Sequence, residues 1–238
     1  MMQATFLAHS GFLVELDSVT LLFDWWKGTL PPLPTNKPLL VFASHRHEDH
    51  FNPAIFALTE DSQDIRFLLS HDIRLTERNR AKWGISEAVA QRCSCLRGGE
   101  TVRPLPGITV ETLSSTDEGV AFLVTADGQT VYHAGDLHWW HWEGEDNGWN
   151  RNMEVNFKRY IEPLRNRSID LAMAPLDPRL EGSYAWGLEY FLTLAQVRSV
   201  LPMHQWGDYA LTERFCREYP HLAGPIVPII REGQSVTF

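Results

Sequence analysis

Cysteine is scarce: Cys93, Cys95 and Cys216 are the three in 238 residues. An odd number with no framework spacing excludes a disulfide-stapled scaffold and reads as reduced thiols. Cys93 and Cys95 could in principle share a metal, but they read as structural thiols. Positive charge is also in short supply. The formal net charge is −9, and no stripe of Lys and Arg offers the footprint that a nucleic-acid interface needs. Arg74, Arg78, Arg80 and Lys82 crowd one segment, but Asp72 and Glu77 sit among them, and a solvated helix face is the reading. Long apolar runs are missing too. None approaches the roughly 20 residues that span a bilayer, and the opening Met-Met-Gln-Ala-Thr-Phe-Leu lacks the basic start and apolar stretch of a signal peptide. No membrane partner and a cytoplasmic location are therefore expected. Linkers and repeats are absent as well, since Pro31-Pro32-Leu33-Pro34 is short and lies between strand-like runs. Residues 1–238 are expected to form a single domain.

What the chain does have is core. The apolar fraction is 44%, enough for a chain of this length to bury a substantial interior. Thr5–His9, Phe12–Leu16 and Val19–Phe23 are apolar or alternating runs separated by turn residues, and Leu39–Ala43 is a continuous apolar run of the kind found in strands covered on both faces. A helix is expected after residue 50, with Asn52 as cap and Pro53 in its first position. Ile65–Leu69 reads as a strand and Ile73–Lys82 as a helix. Further on come the strands Ile108–Leu113, Val120–Thr125 and Thr130–Ala134, the last two joined by the hairpin signal Asp127-Gly128. Helices over Met153–Asn166 and Tyr184–Gln196 alternate with strands over Ile169–Ala174 and Arg198–Leu201. Runs of strands with interspersed helices imply two sheets faced by helices, a layered α/β domain.

The chemistry concentrates in His45-Arg46-His47-Glu48-Asp49-His50, directly after the apolar run Leu39–Ala43. Neutral imidazoles and a carboxylate are the ligand mix of zinc and related ions at hydrolytic sites. Four such groups in six residues cannot face one ion from a regular strand. On a loop they can divide, His45 and His47 toward one ion, Asp49 and His50 toward a second. Two ions roughly 3.5–4 Å apart can hold a hydroxide nucleophile and stabilise charge developing on a substrate.

His-x-His-x-Asp-His after an apolar strand resembles the signature of the metallo-β-lactamase fold superfamily. Asp24 in Leu-Leu-Phe-Asp resembles its aspartate that braces the metal loop, Asp136 in Tyr-His-Ala-Gly-Asp the one that bridges the ions, and His204 in Leu-Pro-Met-His the last ligand of the second ion. The opening Phe-Leu-Ala-His-Ser-Gly-Phe is similar to the branch containing the ascorbate-6-phosphate lactonase and phospholipase D-like enzymes. The resemblance implies a four-layer αββα sandwich with the site at one edge. It also implies two divalent ions, zinc foremost with manganese or iron as alternatives. The sequence departs from the pattern at one point. The family's third histidine on the first ion is missing, as no His lies between His71 and His133. Asp117, nineteen residues before Asp136, is the candidate replacement, against a turn residue capping its own backbone. A carboxylate there would tilt the first site toward manganese, iron or magnesium.

Around this centre, His9 is open to two readings: a group that holds a substrate oxygen or protonates a leaving group, or a hydrogen-bonded core residue. His133 reads as buried and orienting a ligand. The run His138-Trp139-Trp140-His141-Trp142 reads as the wall of a substrate pocket, which Trp25 and Trp26 would share, or as a buried plug or subunit contact. Arg179 either clamps an anionic substrate or braces Asp177 or Glu181. The function implied is hydrolysis of a small ester, lactone, amide or phosphodiester. Asp49 then orients the metal-bound hydroxide, His45, His47 and Asp117 hold one ion, and Asp49, His50 and His204 hold the other, with Asp136 between them. The rival readings are an iron-dependent oxidoreductase on the same scaffold and a non-catalytic protein that has lost one ion.

Overall fold

The computed structural model describes residues 1–60 and 64–238. Its strands, in chain order, are β1 (Gln3–Ala8), β2 (Gly11–Glu15), β3 (Thr20–Phe23), β4 (Leu39–Ala43), β5 (Ile65–Ser70), β6 (Cys93–Leu96), β7 (Thr101–Leu105), β8 (Ile108–Ser114), β9 (Val120–Ala126), β10 (Gln129–His133), β11 (Ser168–Ile169), β12 (Leu171–Pro175), β13 (Gln196–Val197), β14 (Val200–Met203) and β15 (Ser235–Thr237). The α-helices are α1 (Glu77–Trp83), α2 (Glu87–Ala90), α3 (Asn147–Ile161), α4 (Trp186–Leu194) and α5 (Ala210–Glu218). One sheet has the order β15-β1-β2-β3-β4-β5-β6, the other β14-β12-β10-β9-β8-β7, and β11 with β13 forms a small parallel pair.

Alternation along the first sheet divides its side chains between two cores. Phe6, Phe12, Phe23, Leu40 and Phe42 join residues of the second sheet in one cluster. Leu7, Leu13, Leu22, Val41 and Phe67 join Ile55, Phe56 and Leu58 in another. Between the sheets, Phe23 stacks on Phe42 at 4.5 Å and Phe42 meets Phe122 of β9 edge-on at 5.0 Å. Behind the first sheet, Phe56 of the 3₁₀ helix Pro53–Glu60 packs on Phe67 of β5. Behind the second, Tyr132 of β10 packs on Phe191 of α4, while the next residue, His133, stacks on Phe23 of the facing sheet. Helix, sheet, sheet, helix is the four-layer arrangement of the expected fold.

Several expected elements differ in their bounds. The helix expected from Ile73 starts at Glu77, because Thr76 caps it by accepting from the Asn79 N–H, and Ile73 is buried in the outer core. The helix expected from Met153 starts at Asn147, where Asp146 accepts from the Gly148 and Trp149 N–H groups. The segment after the histidine cluster is a 3₁₀ helix, not an α-helix, although Asn52 does accept from the Ala54 N–H. The Asp127-Gly128 turn has both residues at positive φ, +53° and +72°, as a two-residue type I′ hairpin requires. Cys93 lies half-buried and Cys95 exposed in β6, both as free thiols.

The topology gathers strand ends. β1, β3 and β4 run in one direction in the first sheet, as do β8, β10, β12 and β14 in the second. Their C-terminal ends meet at one edge: Val120 N–H donates to the Ser44 carbonyl and His204 N–H to the His9 carbonyl, joining the two sheets. Such carboxyl ends are where open α/β sheets place their ligand sites.

Candidate metal centre

Each of these seven strands delivers chemistry within a few residues of its end: His9, Asp24, His45 to His50, Asp117, Asp136, Asp177 and His204. Three of these residues pay in backbone strain for their aim. His9, Asp24 and His204 have φ of +54°, +42° and +63°, a region that non-glycine residues occupy rarely and mainly at functional sites. Gly119 and Gly135 lie so close to Ser44 that a Cβ would collide with it. The turn bearing Asp117 and the loop bearing Asp136 are thereby pressed against the base of the histidine loop.

Two groups of donor atoms form. His9, Asp49, His50 and His204 offer atoms all within 4.8 Å of one another, and so do His45, His47, Asp117 and Asp136. Asp136 reaches both: its Oδ2 is 3.6 Å from His45 Nε2, and its Oδ1 is 3.2 Å from His50 Nε2 and 3.6 Å from His204 Nε2.

Hydrogen bonds on the far side of each ring settle its tautomer. His50 Nδ1–H donates to Asp24 Oδ2 at 2.7 Å, and His204 Nδ1–H donates to Asp177 Oδ2 at 2.9 Å. Ser44 Oγ–H donates to Asp24 Oδ2 at 2.6 Å and so accepts from His45 Nδ1–H at 2.9 Å. All three rings are left with an Nε2 lone pair facing the centre, the form that binds a metal. Asp24 also accepts from the Ser44 N–H at 2.7 Å. His133 acts one layer further back, donating from Nε2 to the Ser10 carbonyl and accepting from the Gly135 N–H.

The electrostatics call for cations. Burial pushes the Asp136 carboxyl well above its ordinary pKa, and Asp117, Asp49, Asp24 and Asp177 push it further. Burial holds His45 and His50 well below theirs, so both rings stay neutral, with neighbouring histidines adding to the effect. Burial also works against ionised Asp49, but His9 and His50 beside it keep its pKa low. His9 Nε2, His45 Nε2, His50 Nε2 and Asp136 Oδ1 are buried without a hydrogen-bond partner. Orphaned polar atoms of this kind are costly unless something binds them. Neutral imidazoles, repelling carboxylates and orphaned lone pairs on one spot fit divalent metal ions.

A cavity of about 300 Å³ opens over the centre, lined by His47, Asp49, Asp117, Asp136, Trp140, Trp142, Trp149, Met153, Arg179 and His204. Of the expected wall residues Trp140 and Trp142 line it, whereas Trp25, Trp26, His138, Trp139 and His141 do not. Trp25 packs on the outer core behind the first sheet, with Nε1–H donating to the Gly28 carbonyl. Trp139 turns away onto Phe157, Trp186 and Tyr190. The segment carrying Trp139 is irregular, so no periodicity tells which indole faces inward. Its neighbour Trp140 does, anchored by Nε1–H donating to the Asp136 carbonyl and stacked on Trp142. Arg179 reaches the cavity while paired through Nε and Nη2 with Asp177, and its guanidinium lies 4.6 Å from the Trp206 ring centre.

Sequence reasoning named Asp177 only as a partner of Arg179 and passed over Ser44 and Trp206. Asp177 carried one usable signal: it follows a buried strand by two residues, as Asp24 follows β3 by one.

The beta-lactamase superfamily domain model matches residues 3–141, more than half of the chain, and the chain belongs to that superfamily. A metal-dependent hydrolase of Nitratidesulfovibrio vulgaris (strain DP4) is 28% identical over 225 residues, covering 88% of this chain and 82% of that protein. Among solved structures, Igni18, a metallo hydrolase from the archaeon Ignicoccus hospitalis, superposes with a TM-score of 0.66 at 22% identity, covering all of this chain and 98% of that one. CmlA, a diiron β-hydroxylase from Streptomyces venezuelae, has a TM-score of 0.66 at 13% identity, with 54% of its chain covered. At such identities the two structures speak to the fold alone. No helix among the described residues is long and apolar enough to cross a membrane.

Proposed function

We propose that the protein is a binuclear metal-dependent hydrolase of small esters, lactones, amides or phosphodiesters. The carrying observation is the pair of donor groups that meet at Asp136, where His9 Nε2, His45 Nε2 and His50 Nε2 are buried without a partner. The hydrolase named in Nitratidesulfovibrio vulgaris supports the reaction class. His45, His47 and Asp117 would hold one ion and Asp49, His50 and His204 the other, with Asp136 shared between the two donor groups. Bound ions of this kind supply an activated water and neutralise charge that builds on the scissile group.

The chain's own groups do the rest. Asp49, kept ionised by its histidine neighbours, accepts a hydrogen bond from the attacking water and so orients it. Asp24, Ser44 and Asp177 fix the ligand rings from behind. Trp140, Trp142 and Trp149 exclude solvent and offer flat apolar walls to the substrate. Arg179 keeps its Nη1 edge outside the pair with Asp177, and that edge meets an anionic substrate group.

The test is hydrolysis of nitrophenyl esters, lactones and bis-nitrophenyl phosphate before and after chelation. Activity on one class that disappears with the metal and returns with zinc or manganese is the expected result. Activity indifferent to chelation contradicts the reading, and a visible absorption band from bound iron moves it to the oxidoreductase alternative.

A further inference from the structure

The two donor groups are not chemically alike. One contains three imidazoles and one carboxylate, His9, His50, His204 and Asp49; the other contains two of each, His45, His47, Asp117 and Asp136. The departure from the family pattern is therefore double. The first group has a carboxylate where an imidazole is expected, and the second has a fourth protein donor, His9, that the pattern does not require.

His9 is built like a ligand. Its side chain is 5% exposed, and its Nε2 lies 3.4 Å from Asp49 Oδ2. That nitrogen is buried and has no hydrogen-bond partner. Its ring centre is 4.1 Å from that of His204 and 5.4 Å from that of His50. A residue at φ +54° is held against its own preference, and the His9 carbonyl is tied to the His204 N–H at 3.2 Å. A core histidine of the bland kind would have both nitrogens satisfied; this one aims an orphaned atom at the ligand group.

The surroundings differ in the same sense. The His9, Asp49, His50 and His204 side chains are 5%, 29%, 0% and 2% exposed, whereas the other group sets His47 and Asp117, 41% and 44% exposed, beside buried His45 and Asp136. A closed site with three imidazoles suits zinc, which binds imidazole well. An open site with more oxygen donors leaves room for the waters that a harder, six-coordinate ion retains.

We propose that the centre is a mixed-metal site, with His9 a protein ligand of the second ion, zinc on the His9 side, and a harder ion such as Mn²⁺ on the Asp117 side. This rests on the binuclear reading above and deepens it.

The test uses the full chain, stripped by chelator and reconstituted with mixtures of Zn²⁺ and Mn²⁺ in which manganese is in increasing excess. Each position is then assigned by anomalous diffraction at the two absorption edges, and zinc affinity is read by competition with a chromophoric chelator. The expected result is zinc retained beside His9 while manganese fills the Asp117 side. Asp117→His should let zinc occupy both positions. His9→Gln should weaken zinc at the second position by more than the roughly 10–100-fold typical of losing an outer partner. Equal metal ratios at both positions in every mixture, unchanged by Asp117→His, overturn the partition and leave the binuclear reading standing. Unchanged zinc affinity in His9→Gln, in protein whose circular dichroism is native, overturns the ligand role of His9. No bound ion at all overturns this proposal and the hydrolase reading together.

Discussion

The two halves of the centre are held in place by different means. Behind His50 and His204 stand fully buried carboxylates, Asp24 and Asp177, each bonded to Nδ1. Around His47 and Asp117 the neighbours are each other, at 3.6 Å, and Glu118, which forms a two-pronged ion pair with Arg46 at the surface. Burial makes the first arrangement rigid, because an unpaired charge there is too costly to tolerate. Exposure leaves His47 and Asp117 adjustable, because water replaces any partner that moves away, while His45 of the same group is buried and held by Ser44. Under the binuclear reading proposed above, the centre would combine a fixed part, which sets geometry, with a part that can yield.

The sharpest way to break this comparison is at the residue both halves share. Asp136→Ala should remove ion binding on both sides. The stabilisation lost from a hydrolytic metal centre is several kcal/mol, so kcat/KM should fall by roughly 10³-fold; a fall of only a few-fold means Asp136 bridges nothing. Next comes the buried brace. Asp24→Ala leaves the Ser44 N–H, the Ser44 hydroxyl and His50 Nδ1–H without an acceptor. At about 1–3 kcal/mol for each buried unsatisfied group, urea denaturation should register a loss of about 3 kcal/mol or more, and a loss under about 1 kcal/mol would mean the brace is not rigid.

Acid should separate the halves more gently. Burial lowers the pKa of His133, and pushes that of His138 down to about 3. Both are neutral when folded, while the unfolded chain takes up protons near pH 6.5. Stability is therefore intact above that value and declines as pH falls below it, by up to about 1.4 kcal/mol per pH unit for each ring. Urea midpoints of the metal-free protein should drop steadily from pH 7 to pH 5; a flat profile contradicts the buried-neutral assignment. The smallest effect belongs to the exposed side. Glu118→Gln breaks a surface ion pair, and little change in melting temperature is expected; a large one would show that the adjustable half is as constrained as the buried half.

The layered fold was legible because its central strands are apolar runs with clear turn signals, and the metal loop because its ligand types fall within six residues. The strands β6 and β7 were not. They form sheet edges, are short and half-exposed, and β7 carries Pro104 beside an irregular register, the features that blunt an edge and also erase alternation. The orientation of site residues was the least legible part. His9 and His204 aim as they do because tertiary contacts hold positive φ, and adjacent tryptophans in an irregular segment carry no period. Asp177 was hidden for another reason: its ion pair with Arg179 is local in sequence, whereas its bond to His204 spans 27 residues.

The most direct test of the central claim is metal content by mass spectrometry on untagged protein purified without added metal and again after reconstitution. Two ions per chain, falling in Asp136→Ala, is the expected result. A chain that takes up no metal after reconstitution contradicts the account, however well it folds.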